Sequence, residues 1–255
     1  EYNIWRFPRL NIGYNGDDGF LIGGGLWYRK YGFRKEPFAS DQRLNTLFAI
    51  GQKAYQITYR GQFTDVLRKT DLVVNTELVN PVLNNFYGFG NETKLDEDKD
   101  IRFYRVRYSY FNADVLLRRK MGNYISFTAG PSIFHYWNSP EKNQDYILAK
   151  PSAAGLDSMD VYSKKTYAGL KLGIQINTLN NELFPTRGVN WYSEFSEMRP
   201  VTDNANHVTK IQSDMVVYSS LNDPAKVVSV LRLGGGHIFS NDFEYFQAMN
   251  LGANN

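Results

Sequence analysis

Apolar and polar residues alternate with a period of two along most of the chain, which is the pattern of strands with two unlike faces. In AYQITYRGQFTD, residues 54 to 65, Tyr55, Ile57, Tyr59, Gly61 and Phe63 fall on one face and Gln56, Thr58, Arg60, Gln62 and Thr64 on the other. Further on, Tyr104, Val106, Tyr108 and Tyr110 alternate with Arg105, Arg107 and Ser109. Residues 166 to 177 set Ala168, Leu170, Leu172, Ile174 and Ile176 against Gly169, Lys171, Gly173, Gln175 and Asn177, and residues 207 to 220 set Ile211, Met215 and Val217 against Lys210, Gln212 and Asp214. These runs predict eleven strands, at about residues 4 to 14, 19 to 31, 42 to 51, 54 to 65, 70 to 80, 101 to 118, 124 to 137, 165 to 177, 188 to 199, 207 to 219 and 226 to 238. No helix is predicted.

The joints carry turn chemistry. NGDDG at 15 to 19, GQK at 51 to 53, KMGN at 120 to 123 and LNDPAK at 221 to 226 supply the Asn, Asp, Gly and Pro that hairpins use. Three joints are longer, at 80 to 100, 138 to 164 and 199 to 206. If the first strand rises from the periplasm, all three fall on the opposite side, the asymmetry of outer-membrane barrels. The joint at 32 to 41, GFRKEPFASD, is longer than that arrangement asks of a periplasmic turn. Most predicted strands exceed the usual five or six residues of soluble sheets and approach the nine to eleven tilted residues that cross a bilayer. Arg60, Arg105, Arg107, Lys171, Glu194, Lys210, Asp214 and Arg232 lie in strand interiors, on the polar face. A soluble sandwich or barrel also alternates, so the pattern alone leaves that alternative open.

Composition narrows the functions. Lys and Arg total 29 against 26 acidic residues, a net charge of +3, and no basic footprint for nucleic acid results. Cysteine is absent, which removes disulfides and thiolate metal sites and agrees with export. No run approaches the roughly 18 apolar residues of a membrane helix, which says nothing against spanning strands. The 18 tyrosines and 17 phenylalanines are many. Trp5, Trp27, Tyr28, Tyr31, Tyr136, Trp137, Trp191 and Tyr192 sit near strand ends, where interfacial girdles belong. His135, His207 and His237 are scattered over different strands, without zinc spacing. LDEDKD at 95 to 100 lacks the ordered ligands of a calcium loop, the GGG runs at 23 and 234 are not followed by Lys-Ser/Thr, and no Gly-x-Ser-x-Gly occurs. No catalytic residue, metal or cofactor is expected.

One segment is distinctive. NNELFPTRGVNWYSEF, containing Phe184, Pro185, Thr186, Arg187 and Gly188, resembles the turn between strands eight and nine of the BamA-type superfamily of outer-membrane insertases and translocases, the bacterial surface antigen family. It falls between the eighth and ninth predicted strands. Pro185 removes a ladder donor and Gly188 permits the geometry from which the next strand restarts, while Arg187 reads by default as a solvated turn residue. IGYNGDDGFLIGGGLWYR is similar to the first hairpin of such barrels. NDFEYFQAMNLGANN, with Leu251 and Gly252, is similar to their approach to the sixth extracellular loop. NNFYGFGNET, residues 84 to 93, is similar to a subgroup whose barrels follow a calcineurin-like phosphoesterase domain.

The resemblance implies an all-β, antiparallel transmembrane β-barrel of the 16-stranded type in the bacterial outer membrane, with about eleven strands present. Residues 1 to 255 are then expected to be part of the barrel domain, without its closing strands or any N-terminal periplasmic domain. The implied activity is insertion or translocation of proteins through a lateral gate, with Asn11, Gly13 and Tyr14 on the gate strand and no enzymatic reaction. Implied partners are outer-membrane lipid, client outer-membrane proteins and periplasmic or lipoprotein partners. A barrel that anchors or exports an attached phosphoesterase or other domain is the alternative, and a soluble carbohydrate-binding β protein a third.

Overall fold

The structure, a computed structural model, describes residues 2–16, 19–89, 99–203, 205–240 and 242–249. Eleven strands form one sheet in sequence order, each antiparallel to the next. They are β1 (Ile4–Asn15), β2 (Gly19–Gly32), β3 (Lys35–Ala49), β4 (Ala54–Phe63), β5 (Thr70–Asn85) and β6 (Arg105–Met121). The others are β7 (Ile125–Trp137), β8 (Lys165–Asn177), β9 (Gly188–Pro200), β10 (Val208–Ser219) and β11 (Ser229–Ile238). One end of the sheet carries the longest connections, 86–104 and 138–164, and the other the joints 33–34, 64–69, 122–124, 178–187 and 220–228. No helix among the described residues is long and apolar enough to cross a membrane.

Three expectations need correction. The joint predicted at 32 to 41 is a two-residue turn at Phe33 and Arg34, and β3 begins at Lys35. Pro37 hid this strand start, because proline removes a ladder donor. The β3–β4 register begins only at Ser40 with Phe63, so Pro37 lies where β3 has a free edge and the missing donor costs little. The run from 101 opens with a 3-10 turn, Ile101–Tyr104, capped by the Asp100 carboxylate on the Arg102 amide at 3.1 Å, and β6 then extends to Met121. One short helix also forms, α1 (Ser158–Val161), with the Asp157 side chain accepting from the Met159 amide at 2.8 Å.

Curvature shows in contacts between strands that are not neighbours. Lys171 on β8 reaches over β7 to Asp114 on β6, 2.9 Å away, which requires both side chains to converge on a concave face. The register then assigns every strand. Gln175, Gly173 and Lys171 point inward with Tyr192, Glu194 and Ser196 of β9 opposite them, and Lys210, Gln212 and Asp214 continue the face on β10. The convex face carries Leu10, Ile12, Ile22, Val115, Leu117, Phe127, Ile133, Leu170, Leu172 and Leu233, all solvent-exposed in the isolated chain. An apolar exterior with a polar interior is the inverse of a soluble fold and the arrangement of a barrel wall in lipid.

Two groups break the simple rule. In β6 the charged Arg105 and Arg107 face outward and the aromatic set faces inward, where Tyr104, Val106 and Tyr108 are buried. This part of β6 adjoins the long loops, so its outer face meets Tyr146 of the 138–164 connection, 5.0 Å from the Arg107 guanidinium, and its inner face is roofed by apolar loop residues. Trp27, Tyr136 and Tyr192 also point inward and leave the expected girdle, while Trp5, Tyr28, Trp137 and Trp191 face outward.

Where β7 stops pairing, a side chain continues the ladder. The last β6–β7 pair is Ser109 with Trp137, which leaves the backbone of Arg107 without a strand partner on that side. Asn143 supplies one: its amide donates to the Arg107 carbonyl at 2.9 Å and its oxygen accepts from the Arg107 amide at 2.9 Å. Asn143 is fully buried. Replacing it by Ala orphans both backbone groups, at a cost of about 3 kcal/mol. Urea unfolding of the Asn143→Ala barrel in lipid vesicles is expected to show that loss, and Asn143→Asp to lose at least as much, because its second oxygen would face the carbonyls of Arg107 and Ser139.

Candidate functional site

The turn carrying Phe184 to Gly188 is built by two asparagines that the sequence reading did not single out. Asn181 accepts from the amides of Leu183 and Phe184 at 2.8 and 2.9 Å. Asn180 accepts from the amides of Thr186 and Arg187, both at 3.1 Å, and donates to the Thr186 hydroxyl at 2.8 Å. Pro185 lies between these demands and lacks the donor that would otherwise need a partner. Gly188 has φ 119°, and a Cβ there would collide with the Thr178 carbonyl, so both conformation and space require glycine. Leu183 and Phe184 are exposed by more than three quarters.

Arg187 is not a solvated bystander. Its guanidinium donates to the carbonyls of Ser220 and Asn222, each at 3.2 Å, and so ties the β8–β9 turn to the β10–β11 turn. A rigid five-donor fork suits this task because it reaches two carbonyls of a neighbouring turn at once.

At the other end of the sheet, β1 pairs with β2 alone among the described residues. Asn11 and Gly13 lie opposite Gly23 and Leu21 on the inner face, and Tyr14 lies outward, edge-on to Phe20 with ring centroids 5.2 Å apart. A Cβ at Gly13 would find its nearest neighbour, a Leu21 methyl, at an ordinary 3.8 Å, so glycine here is a choice of low strand propensity rather than of space.

After β11 the chain turns back over the concave face. Tyr245 is buried among Phe86, Tyr108, Tyr136 and Leu148, and its hydroxyl lies 2.8 Å from that of Tyr136, which donates to the Val161 carbonyl at 2.7 Å. Phe246 stacks on Tyr136 with centroids 4.0 Å apart. Lys165, with no exposed surface, binds Asp160 of α1 at 2.7 Å and also Glu244, joining β8, the 138–164 connection and the segment after β11. Burial pushes the Glu244 carboxyl up, against the pull of the Lys165 ammonium. The tyrosines were assigned to an apolar strand face and Lys165 to a strand start; only the tertiary fold brings them together. Leu251 and Gly252, expected next along this segment, lie outside the described residues, as does most of LDEDKD.

No group of His, Asp and Glu able to hold a metal occurs among the described residues. His135 contacts the Thr166 hydroxyl at 2.8 Å and His237 packs edge-on to Phe239.

An antiparallel meander with a lipid-type exterior, a charged interior and its long connections at one end defines a transmembrane β-barrel wall. The Omp85 superfamily domain matches residues 47–255, so the chain belongs to the Omp85 superfamily and is a bacterial outer-membrane protein. Among solved structures it is similar to the crystal structure of BamA from Haemophilus ducreyi lacking POTRA domains 1-3, with 17% sequence identity and a TM-score of 0.60. That likeness covers 100% of this chain and 45% of that one, so this chain spans less than half of the BamA chain it matches. A search of curated proteins finds no match.

Arg187→Ala is expected to lower barrel stability by about 1 kcal/mol, the scale of two exposed hydrogen bonds, and Arg187→Lys to recover only part because an ammonium lacks the fork. Lys165→Met, which strands Glu244 in a buried site, is expected to cost about 3 kcal/mol, and the double variant Lys165→Met with Glu244→Leu to cost clearly less. Denaturant midpoints of the four proteins of this cycle measure the coupling.

Proposed function

We propose that this barrel inserts or translocates proteins at the outer membrane by admitting a client strand at the edge of β1. The observation that carries the reading is membership of the Omp85 superfamily over residues 47–255, and strand addition at a parted β1 edge is the backbone chemistry the reading assigns to it. Gly13, with room for a side chain but none present, keeps the edge weakly committed to its neighbour. Family membership supports the reading.

In this account the lipid-facing side chains hold the wall in the membrane while Asn11, Gly13 and Tyr14 form the upper part of the gate. Clients are other outer-membrane proteins. The short-turn end, including the exposed Leu183 and Phe184, is the surface that periplasmic or lipoprotein partners reach, and outer-membrane lipid surrounds the rest.

A disulfide between a cysteine at position 11 and one on the strand that closes the full-length barrel tests the gate. Oxidised protein is expected to lose assembly of a reporter barrel in proteoliposomes, and reduction to restore it. Full activity in the locked state would contradict lateral gating and favour a barrel that only anchors or exports an attached domain.

A further inference from the structure

The inner face is not uniformly charged. On β5 to β11 three inward ion pairs form: Arg118 meets Asp71 at 2.7 Å, Lys171 meets Asp114 at 2.9 Å and Arg232 meets Asp214 at 2.8 Å. On β1 to β4 the balance differs. Arg6, Arg9, Arg29, Arg43 and Arg60 all face inward there, where Asp41 is the carboxylate that meets them and Glu77 of β5, beside them, is hydrogen-bonded to Gln56. Asp41 is buried and already engaged by Arg29 at 2.6 Å, Arg43 at 2.8 Å and the Trp27 indole at 3.0 Å. Five guanidiniums thus share one ion-paired carboxylate, and Arg6, Arg9 and Arg60 have no ion pair among the described residues.

Their placement is ordered. Strand register sets Arg6 opposite Trp27, Trp27 opposite Arg43 and Arg43 opposite Arg60, so these residues form one row across four strands. At about 4.8 Å per strand the row is about 14 Å long. Arg9 lies one rung toward the long loops and Arg29 one rung toward the short turns. Trp27 holds the row together: the guanidiniums of Arg6, Arg29 and Arg43 lie 4.9, 5.2 and 5.3 Å from its ring. Cation–π contact orients these groups but does not neutralise them. Arg6, Arg9, Arg43 and Arg60 stay exposed to the lumen. The rung above the row holds Arg9, Gly25 and Asn45, so a fourth guanidinium stands beside the three in the row.

We propose that this row is a binding surface for an acidic polypeptide segment lying in the barrel lumen. A single phosphate spans one or two guanidiniums, whereas four charges spread over this length require an elongated, multiply charged anion. An extended polypeptide places side chains of one face about 7 Å apart, so three carboxylates cover the row from Arg6 to Arg60. Guanidinium groups pre-oriented on an indole favour the planar, two-oxygen geometry of carboxylates. The inference goes beyond the gate at β1 and stands without it, since a segment in the lumen meets the row whether or not β1 parts from its neighbour.

The test uses the full-length protein in nanodiscs and fluorescein-labelled alternating Glu-Ala, Gln-Ala and Lys-Ala peptides, read by fluorescence anisotropy. The Glu-Ala peptide is expected to bind, more weakly as salt rises, and the other two to show no comparable affinity. Arg43→Gln and Arg60→Gln are each expected to weaken binding about fivefold. Arg60 makes no side-chain hydrogen bond to another described residue, so its variant should fold normally, as heat-modifiable migration in SDS gels checks. Equal binding of Glu-Ala and Gln-Ala peptides, or unchanged affinity in the folded Arg60→Gln protein, would overturn the proposal. Displacement of the peptide by tripolyphosphate at lower concentration than by unlabelled peptide would overturn the assignment to a polypeptide.

Discussion

In the hydrocarbon core of a membrane no water is available to satisfy a peptide group, and everything else in this chain follows from that constraint. A strand can cross lipid only if both of its edges are paired, so the sequence must specify a continuous antiparallel ladder rather than a set of independent hairpins. The eleven described strands pair in chain order without a crossover. Where pairing fails at the end of β7, the Asn143 carboxamide takes over, and where β3 has one free edge the chain places Pro37. Both are local answers to one demand, that each backbone group have a partner or need none.

The ladder leaves two faces, and the chain assigns them opposite chemistry. Outward side chains are aliphatic through the middle of the wall, with Trp5, Tyr28, Trp137 and Trp191 toward its ends. Inward ones do three different jobs. Ion pairs occur from β5 to β11, an aromatic and ionic cluster anchors the segment after β11 beneath the long loops, and five arginines with one ion-paired carboxylate line β1 to β4. The inner wall thus carries more ion pairs over its later strands and an excess of guanidiniums over its first four.

Much of this was legible as periodicity, because a side-chain period of two is a local property. The β8 limits were read without error from TYAGLKLGIQIN and its flanks, and the assignment of Lys171, Lys210, Asp214 and Arg232 to the polar face agrees with the register. What a local pattern cannot carry is which way a face points. Tyr104, Val106 and Tyr108 alternate as cleanly as any lipid-facing set, yet they turn inward because distant loop residues roof them. The same limit hid Lys165, whose two carboxylate partners come from α1 and from beyond β11, and Asp41, whose guanidinium partners come from two strands. In the turn at 184 to 188 the proline and glycine announced themselves, but the hydrogen bonds are made by Asn180 and Asn181, residues common enough in turns to pass unnoticed. Arg187 gained its role from a neighbouring turn that sequence spacing does not bring near.

The central claim is that the convex face meets lipid and the concave face meets water, and residues 1 to 255 bring no cysteine of their own to a labelling experiment. Single cysteines placed in turn at residues 168 to 175 of the full-length protein in liposomes, each carrying a nitroxide label, report accessibility to oxygen and to a water-soluble nickel chelate. Labels at 168, 170, 172 and 174 are predicted to be relaxed by oxygen and shielded from the chelate, and those at 169, 171, 173 and 175 to show the reverse. A profile without this two-residue alternation, or with its phase inverted, would contradict the account.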